Sequence, residues 1–209
     1  MRVLLLRHGQ TDLNVQKRLQ GSSDIPLNER GRQQARQTKA FLDGQGIVVT
    51  RIISSPLGRA IETGSLATGI PTSQVETDTN LIEMAFGVCE MRNMEEEDPD
   101  FLHQCFDTPE CYRPPEGGES YDEVVARAGA LVERVRGMIS AGEFAEEDVL
   151  LLVSHGALSH CLFEYIKKTP RASLWDVDFN NCAIAELFLS VDGASDDYKF
   201  ISNGFEKNW

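Results

Sequence analysis

The sequence predicts a three-layer α/β/α domain: a mostly parallel central sheet, helices on both of its faces, and an insertion that caps one edge. Three observations predict it. Two apolar runs, Val3-Leu4-Leu5-Leu6 and Val149-Leu150-Leu151-Leu152-Val153, have the unbroken hydrophobicity of strands covered on both faces. Extended and helical patterns alternate along the chain. A length of 209 residues with 41% hydrophobic content supports one substantial core. Residues 1–209 are therefore expected to form one domain, with 84–118 inserted as a cap or lid.

The first strand covers residues 2–7, and a polar, irregular stretch runs from 9 to 26. Asn28 then caps a helix that reaches about residue 43, with Ala35, Thr38 and Leu42 on one side. Residues 51–54 read as a second strand, ended by Pro56, and a helix over 57–68 stops at Gly69. Leu81-Ile82 is expected to be a short extended piece before Glu83. From 84 to 118 the composition changes: five acids fall within 95–100, and Pro99, Pro109, Pro114, Pro115 and Gly117-Gly118 punctuate the rest. Helix is expected there only around 100–106. Residues 119–139 carry an apolar face of Val124, Val125, Ala128, Leu131, Val132, Val135 and Ile139 at helical spacing. A strand at 149–154 and a helix at 157–167 repeat the strand–helix unit. Residues 182–189 and 198–201 alternate as strands do.

A net charge of −13 argues against nucleic acid and against an anionic membrane surface, since both recruit Lys and Arg to neutralise phosphate. No apolar stretch reaches the ~18 residues of a membrane span, and only four apolar residues separate Arg2 from Arg7, too few for a secretory h-region. The five cysteines (Cys89, Cys105, Cys111, Cys161, Cys182) show no C-x-x-C spacing, so neither a zinc site nor a redox pair is expected. Free thiols suit a reducing cytoplasm, the compartment expected here. A homodimer is left open.

Chemistry gathers at strand ends. Arg7-His8-Gly9 and His155-Gly156 each follow an apolar run, and ligands of open α/β sheets bind at the carboxyl ends of strands. A histidine merely held by hydrogen bonds at a strand end is the plainer reading of either dipeptide; two copies at two strand ends argue for a shared site. A neutral imidazole, with an ordinary pKa of about 6.5, offers a lone pair that can attack phosphorus if a carbonyl holds its other N–H. Such a step needs positive charge around the phosphoryl oxygens. Arg7 and Arg59 are candidates, the latter in Ser54-Ser55-Pro56-Leu57-Gly58-Arg59 after the second strand, although it equally reads as a solvated helix residue. His155 is a further donor. Asn14 is either a neutral donor or a turn residue. His160 and His103 read as ordinary helix or surface histidines. Glu83, before Met84-Ala85-Phe86-Gly87, suits a general acid, because a carboxyl among apolar neighbours can keep its proton.

Leu6-Arg7-His8-Gly9-Gln10-Thr11 with Asn14, Leu19-Gln20-Gly21, Asp24-Ile25-Pro26-Leu27-Asn28-Glu29-Arg30-Gly31, Ser54-Ser55-Pro56-Leu57-Gly58-Arg59, Glu83 before Phe86-Gly87, Gly117-Gly118-Glu119-Ser120 and Val153-Ser154-His155-Gly156 follow one another in this order. The whole resembles the histidine phosphatase superfamily, also called phosphoglycerate-mutase-like, over about residues 2–190. The resemblance implies that fold, no metal and no cofactor. It further implies His8 as the phosphorylated nucleophile, Arg7, Arg59 and His155 as the phosphate pocket, Asn14 as an added contact and Glu83 as the proton donor. Gln20 and Gly21 match a loop beside the phosphate in relatives. Two departures stand out. Cys89-Glu90-Met91 replaces a motif in which tryptophan and glycine often flank the glutamate. Ala157-Leu158-Ser159 replaces the Asn, Ser and Leu that typically follow His-Gly in cofactor-dependent mutases.

The expected function is a metal-independent phosphatase acting on small phosphomonoesters through a phosphohistidine. Mutase-type phosphoryl transfer and a non-catalytic binding module are the alternatives. Residues 84–118 hold nine acids against Arg92 and Arg113, which disfavours the basic second site that retention of a bisphosphate would need. The substrate's identity is left open.

Overall fold

The computed structural model describes residues 1–204; the last five residues of the expected 1–209 domain lie outside the described residues. Its strands are β1 (Arg2–Arg7), β2 (Arg51–Ser54), β3 (Glu76–Thr77), β4 (Val149–Ser154), β5 (Ile184–Phe188) and β6 (Asp197–Ser202). Its α-helices are α1 (Asp12–Val15), α2 (Glu29–Gly44), α3 (Gly58–Thr68), α4 (Met94–Glu97), α5 (Pro99–Phe106), α6 (Tyr121–Ser140) and α7 (Gly156–Lys167). The six strands form one sheet in the order β3-β2-β4-β1-β5-β6. From β3 to β1 all pairs are parallel, while β5 and β6 extend the sheet antiparallel. The two apolar runs are thus central neighbours. Their register sets Arg2 opposite Val149 and Arg7 opposite Ser154, so the two His-Gly dipeptides leave the sheet side by side.

The unbroken hydrophobicity of β1 follows from burial on both faces. Leu4 and Leu6 pack with Ala35 and Leu42 of α2 and Ala60 and Ala67 of α3. Val3 and Leu5 face the other layer, with Val124 and Leu131 of α6 and Leu158 and Leu162 of α7. Side chains alternate across a strand, so only a sheet covered twice needs apolar residues at every position. The expected three layers are present.

Local hydrogen bonds decide the places where the chain departs from expectation. Within the stretch expected to be irregular, Thr11 and Asn14 form a reciprocal capping box that starts the single turn of α1. Leu81-Ile82 is not a single extended piece: Leu81 ends a turn, and only Ile82 has extended backbone. Asp78 accepts the Asn80 N–H at 2.8 Å and starts a 3-10 turn at Thr79–Leu81, and the extended edge is instead β3. The segment 84–118 contains α4 in addition to the expected α5, which is fastened where Tyr121 Oη (2.7 Å) and Trp175 Nε1 (2.9 Å) both donate to the Cys105 carbonyl. Asn28 caps α2 by accepting the Gly31 N–H at 2.9 Å. A Cβ on Gly31 would sit 2.1 Å from the Gln10 carbonyl oxygen, so this helix starts against the backbone that follows β1.

All five cysteines are free; Cys111 is exposed and the other four are buried. Among the described residues, no helix is long and apolar enough to cross a membrane.

Candidate active site

At the end of β1 the His8 N–H donates to the Ser154 carbonyl of β4 (2.9 Å), and the buried Asn181 amide donates to the His8 carbonyl (2.8 Å). The next N–H, that of Gly9, donates to Thr63 Oγ1 on α3 (3.0 Å). The backbone of His8 is therefore held from three directions. Its ring is held too. Nδ1 lies 2.6 Å from the Gly9 carbonyl oxygen, which can only accept, so Nδ1 carries the proton and Nε2 keeps its lone pair. Burial, then the guanidinium groups of Arg59 and Arg7, hold the His8 pKa well below the ordinary value, and the imidazole is neutral.

His155, at the end of β4, stands with its ring centroid 5.0 Å from that of His8. Arg59 Nε donates to its Nδ1 at 3.2 Å, which assigns the ring proton to Nε2. Burial first, then Arg59, His8 and Arg7, keep this imidazole neutral as well. Its Nε2–H is fully buried without a protein acceptor, and so is Arg7 Nε, while Arg7 Nη1 donates to the Phe179 carbonyl at 2.7 Å. A buried donor left unpaired costs about 1–3 kcal/mol. Of the four such side-chain atoms among the described residues, two therefore converge beside His8. Burial lowers the pKa of both Arg7 and Arg59, and Glu83 opposes that shift.

Glu83 reaches the site by capping a helix that cannot cap itself. His155 is the N-cap of α7 but makes no side-chain cap bond. The Glu83 carboxylate accepts the N–H groups of Ala157 (3.1 Å) and Leu158 (2.9 Å) instead, together with its neighbour Met84 (2.8 Å). The surroundings expected to be apolar thus include the polar start of a helix. A Cβ on Gly156 would lie 3.4 Å from Arg7 Nη2 and 3.5 Å from Glu83 Oε2, which places both side chains over the same glycine.

Arg59 is completely buried, not a solvated helix residue. Besides His155 it holds the carbonyls of Gly21 (Nη2, 2.8 Å) and Ser23 (Nη1, 2.6 Å). The same loop is gripped from its other side by Glu90. That carboxylate accepts the N–H groups of Ser22 and Ser23, both their hydroxyls, and the N–H of Phe86, at 2.5–3.2 Å. Gly21 has φ +53°, and a Cβ there would overlap Glu90 Oε1 at 2.0 Å. Asn14 accepts from the Thr11 N–H and hydroxyl, and Gln20 accepts from the same hydroxyl at 2.8 Å, so each side chain is fixed by its oxygen and keeps its amide donors.

These groups line a cavity of about 340 Å³ that contains all of Arg7, His8, Asn14, Gln20, Gly21, Arg59 and Glu83. His155 is fully buried beside His8 and is not among the residues that line the cavity. Sequence reasoning missed the outer part: Arg18, Phe106, Trp175, Val177, Asp178 and Phe179 also line it. So does His160, which is not an ordinary helix histidine but is buried, with Nδ1 3.0 Å from the Leu174 carbonyl. None of the nine acids of 84–118 lines the cavity; that segment contributes Phe86 and Phe106. The acid count of the segment is therefore not the charge that a ligand meets. His103 is exposed and pairs with Asp107, as expected of a surface histidine. Among the described residues, no three His, Cys, Asp or Glu gather as a metal-binding group.

Comparison with known proteins places the chain in one superfamily, whose similar members carry both mutase and phosphatase names. The sequence model described as histidine phosphatase superfamily (branch 1) matches residues 3–195. A curated protein named probable phosphoglycerate mutase GpmB, from Escherichia coli, is 34% identical over 190 residues, covering 90% of this chain and 84% of the relative. Among solved structures, a mycobacterial glucosyl-3-phosphoglycerate phosphatase superposes with a TM-score of 0.73 at 28% identity, covering 96% and 97% of the two chains. YhfR of Bacillus stearothermophilus gives 0.78 at 27% identity, covering 99% and 98%.

Proposed function

The chain belongs to the histidine phosphatase superfamily, and from that premise we propose that it hydrolyses small phosphomonoesters through a phosphohistidine on His8. The observation that carries this reading is the pair of buried, unpartnered donors, Arg7 Nε and His155 Nε2, beside a neutral imidazole tethered at Nδ1. A phosphoryl group seated there supplies the missing acceptors.

In the first step the His8 Nε2 lone pair attacks phosphorus and the bond from phosphorus to the alcohol oxygen breaks. Glu83, in its carboxylic acid form, gives its proton to the departing alkoxide and is left as a carboxylate. Arg7, Arg59 and His155 surround the phosphoryl oxygens, where fixed donors act in a water-poor site without reorganising. Asn14 and Gln20 add neutral donors, and Gly21 holds Arg59 through its carbonyl. In the second step water attacks phosphorus, Glu83 takes the water proton, and the P–N bond breaks to release inorganic phosphate. No step requires a metal. Residues 84–118 serve as the cap, supplying Phe86 and Phe106 to the cavity.

The name of the Escherichia coli relative favours a second reading, phosphoryl transfer between the hydroxyls of phosphoglycerate. That reaction would show as interconversion of 2- and 3-phosphoglycerate dependent on 2,3-bisphosphoglycerate.

The test is direct. Protein incubated in chelator with a phosphomonoester and quenched in alkali should carry one phosphoryl group by intact mass, labile to acid. His8→Ala should lose both that adduct and turnover. Turnover by His8→Ala at a near-normal rate would overturn the mechanism.

A further inference from the structure

Beyond the phosphate pocket the cavity runs along a wall that none of these roles uses: Phe106, His160, Trp175, Val177 and Phe179, with Phe86 contributed by the cap. The Trp175 ring lies 4.4 Å from that of His160 and 5.0 Å from that of Phe106, centroid to centroid. Trp175 is pinned by its Nε1–H to the Cys105 carbonyl, which leaves the indole as a fixed surface. Of these six residues His160 alone is ionisable, and it carries no charge; the acidic Asp178, between Val177 and Phe179, also lines the cavity. The His160 Nδ1–H donates to the Leu174 carbonyl, leaving Nε2 as an acceptor, and burial followed by Arg7 pushes the ring's pKa down to about 3.

We propose that this wall is a leaving-group subsite selective for an uncharged, largely apolar alcohol, with His160 Nε2 accepting from any hydroxyl it carries. The inference rests on the phosphatase reading and narrows its substrate class. Charge decides against a carboxylate-bearing leaving group. An anion set against four aromatic rings and a neutral imidazole loses its water without gaining a cation. Arg18 is the cation lining the cavity outside the phosphate pocket; it is tethered at Nη1 to the Met91 carbonyl, and the acidic Asp178 lines the same cavity. Aromatic surfaces and a lone acceptor are instead what an aryl or alkyl alcohol can use.

Benzyl phosphate and 3-phosphoglycerate are both primary alkyl phosphates, so the bond broken is alike and the ratio of their kcat/KM values reads the subsite. We expect a ratio of about ten or more in favour of benzyl phosphate, the scale of a small apolar group in a fitted pocket. Trp175→Ala should raise KM for benzyl phosphate about tenfold and bring the ratio toward one. Trp175→Phe, which keeps a ring, should retain most of it. The ratio for the unaltered protein stands even if a variant fails to fold. A preference for 3-phosphoglycerate, most of all one that Arg18→Ala abolishes, would overturn the proposal, as would a ratio unmoved in folded Trp175→Ala. Those outcomes with a phosphoenzyme still formed would leave the phosphatase reading standing. Absence of both phosphoenzyme and hydrolysis would remove that reading and this inference with it.

Discussion

His8 and Glu83 are each oriented by backbone groups, and that constrains what they can do. The Gly9 carbonyl fixes the tautomer of His8, and two arginines with burial keep the ring unprotonated, so its lone pair is available across the neutral pH range. Glu83 is fixed by three N–H groups, one of them from the residue that follows it and two from the start of α7. An alkoxide leaves poorly without a proton, whereas nitrophenolate needs none. Glu83→Gln should therefore slow the phosphorylation step of an alkyl phosphate by about 10²–10⁴-fold and that of p-nitrophenyl phosphate much less. Single-turnover measurement separates this step from dephosphorylation, in which Glu83 returns as base, and the variant should accumulate phosphoenzyme with the activated substrate. Equal slowing of phosphorylation with both leaving groups would remove Glu83 from the acid role.

Among the elements, the loop at residues 21–23 links Glu90 of the 84–118 segment to Arg59 and, through it, to His155. Glu90 holds the hydroxyls and N–H groups of Ser22 and Ser23, and the carbonyls of Gly21 and Ser23 hold Arg59, which in turn holds His155. Under the proposed mechanism Glu90 is a positioning residue that acts through Arg59. Glu90→Ala should slow phosphoenzyme formation about tenfold to a hundredfold, as expected when a phosphate-binding group shifts by about an ångström. Glu90→Gln should recover part of that loss, since one carbonyl oxygen can still accept. A purely structural role would instead lower thermal stability while leaving the single-turnover rate of the folded protein unchanged. The sequence showed Cys89-Glu90-Met91 only as a departure from a familiar motif; which groups the carboxylate holds depends on a loop nearly 70 residues away.

For the whole molecule, three buried imidazoles make folding sensitive to acid. His8 and His155 titrate well below the ordinary value and His160 at about 3, because burial penalises the charged ring. The unfolded chain protonates these rings near pH 6.5, so below that value it binds more protons than the folded protein does. Their contribution to stability is therefore complete above about pH 6.5 and is lost as pH falls toward the folded values. Each ring removes up to about 1.4 kcal/mol per pH unit in that window. Urea unfolding at pH 7, 6 and 5 should show a falling midpoint at constant slope, over a range where most carboxylates remain ionised. A midpoint that stays level would show that the rings are not held neutral. Of the three histidines, His160 alone does not stand at the end of an apolar strand, so its burial was not legible from its place in the chain.

The sequence by itself determined the layered fold and the meeting of Arg7, His8 and His155 at one rim of the sheet. Continuous apolar runs can be buried only in a sheet covered on both faces, and the residues after such runs emerge at one rim, which brought Arg7, His8 and His155 together in the reading as they stand in the fold. Arg59 and Glu83 were legible mainly through ordered motifs, since a lone arginine or glutamate carries no positional signal. Tertiary structure alone decided the outer cavity. Phe106, His160 and the stretch from Trp175 to Phe179 lie on three separate parts of the chain, and no local period or spacing relates one part to another. The same holds for the charge a ligand meets. The acids of the cap are numerous in the sequence, yet a side chain's direction is set by how its segment packs, and these acids lie outside the cavity while two phenylalanines line it.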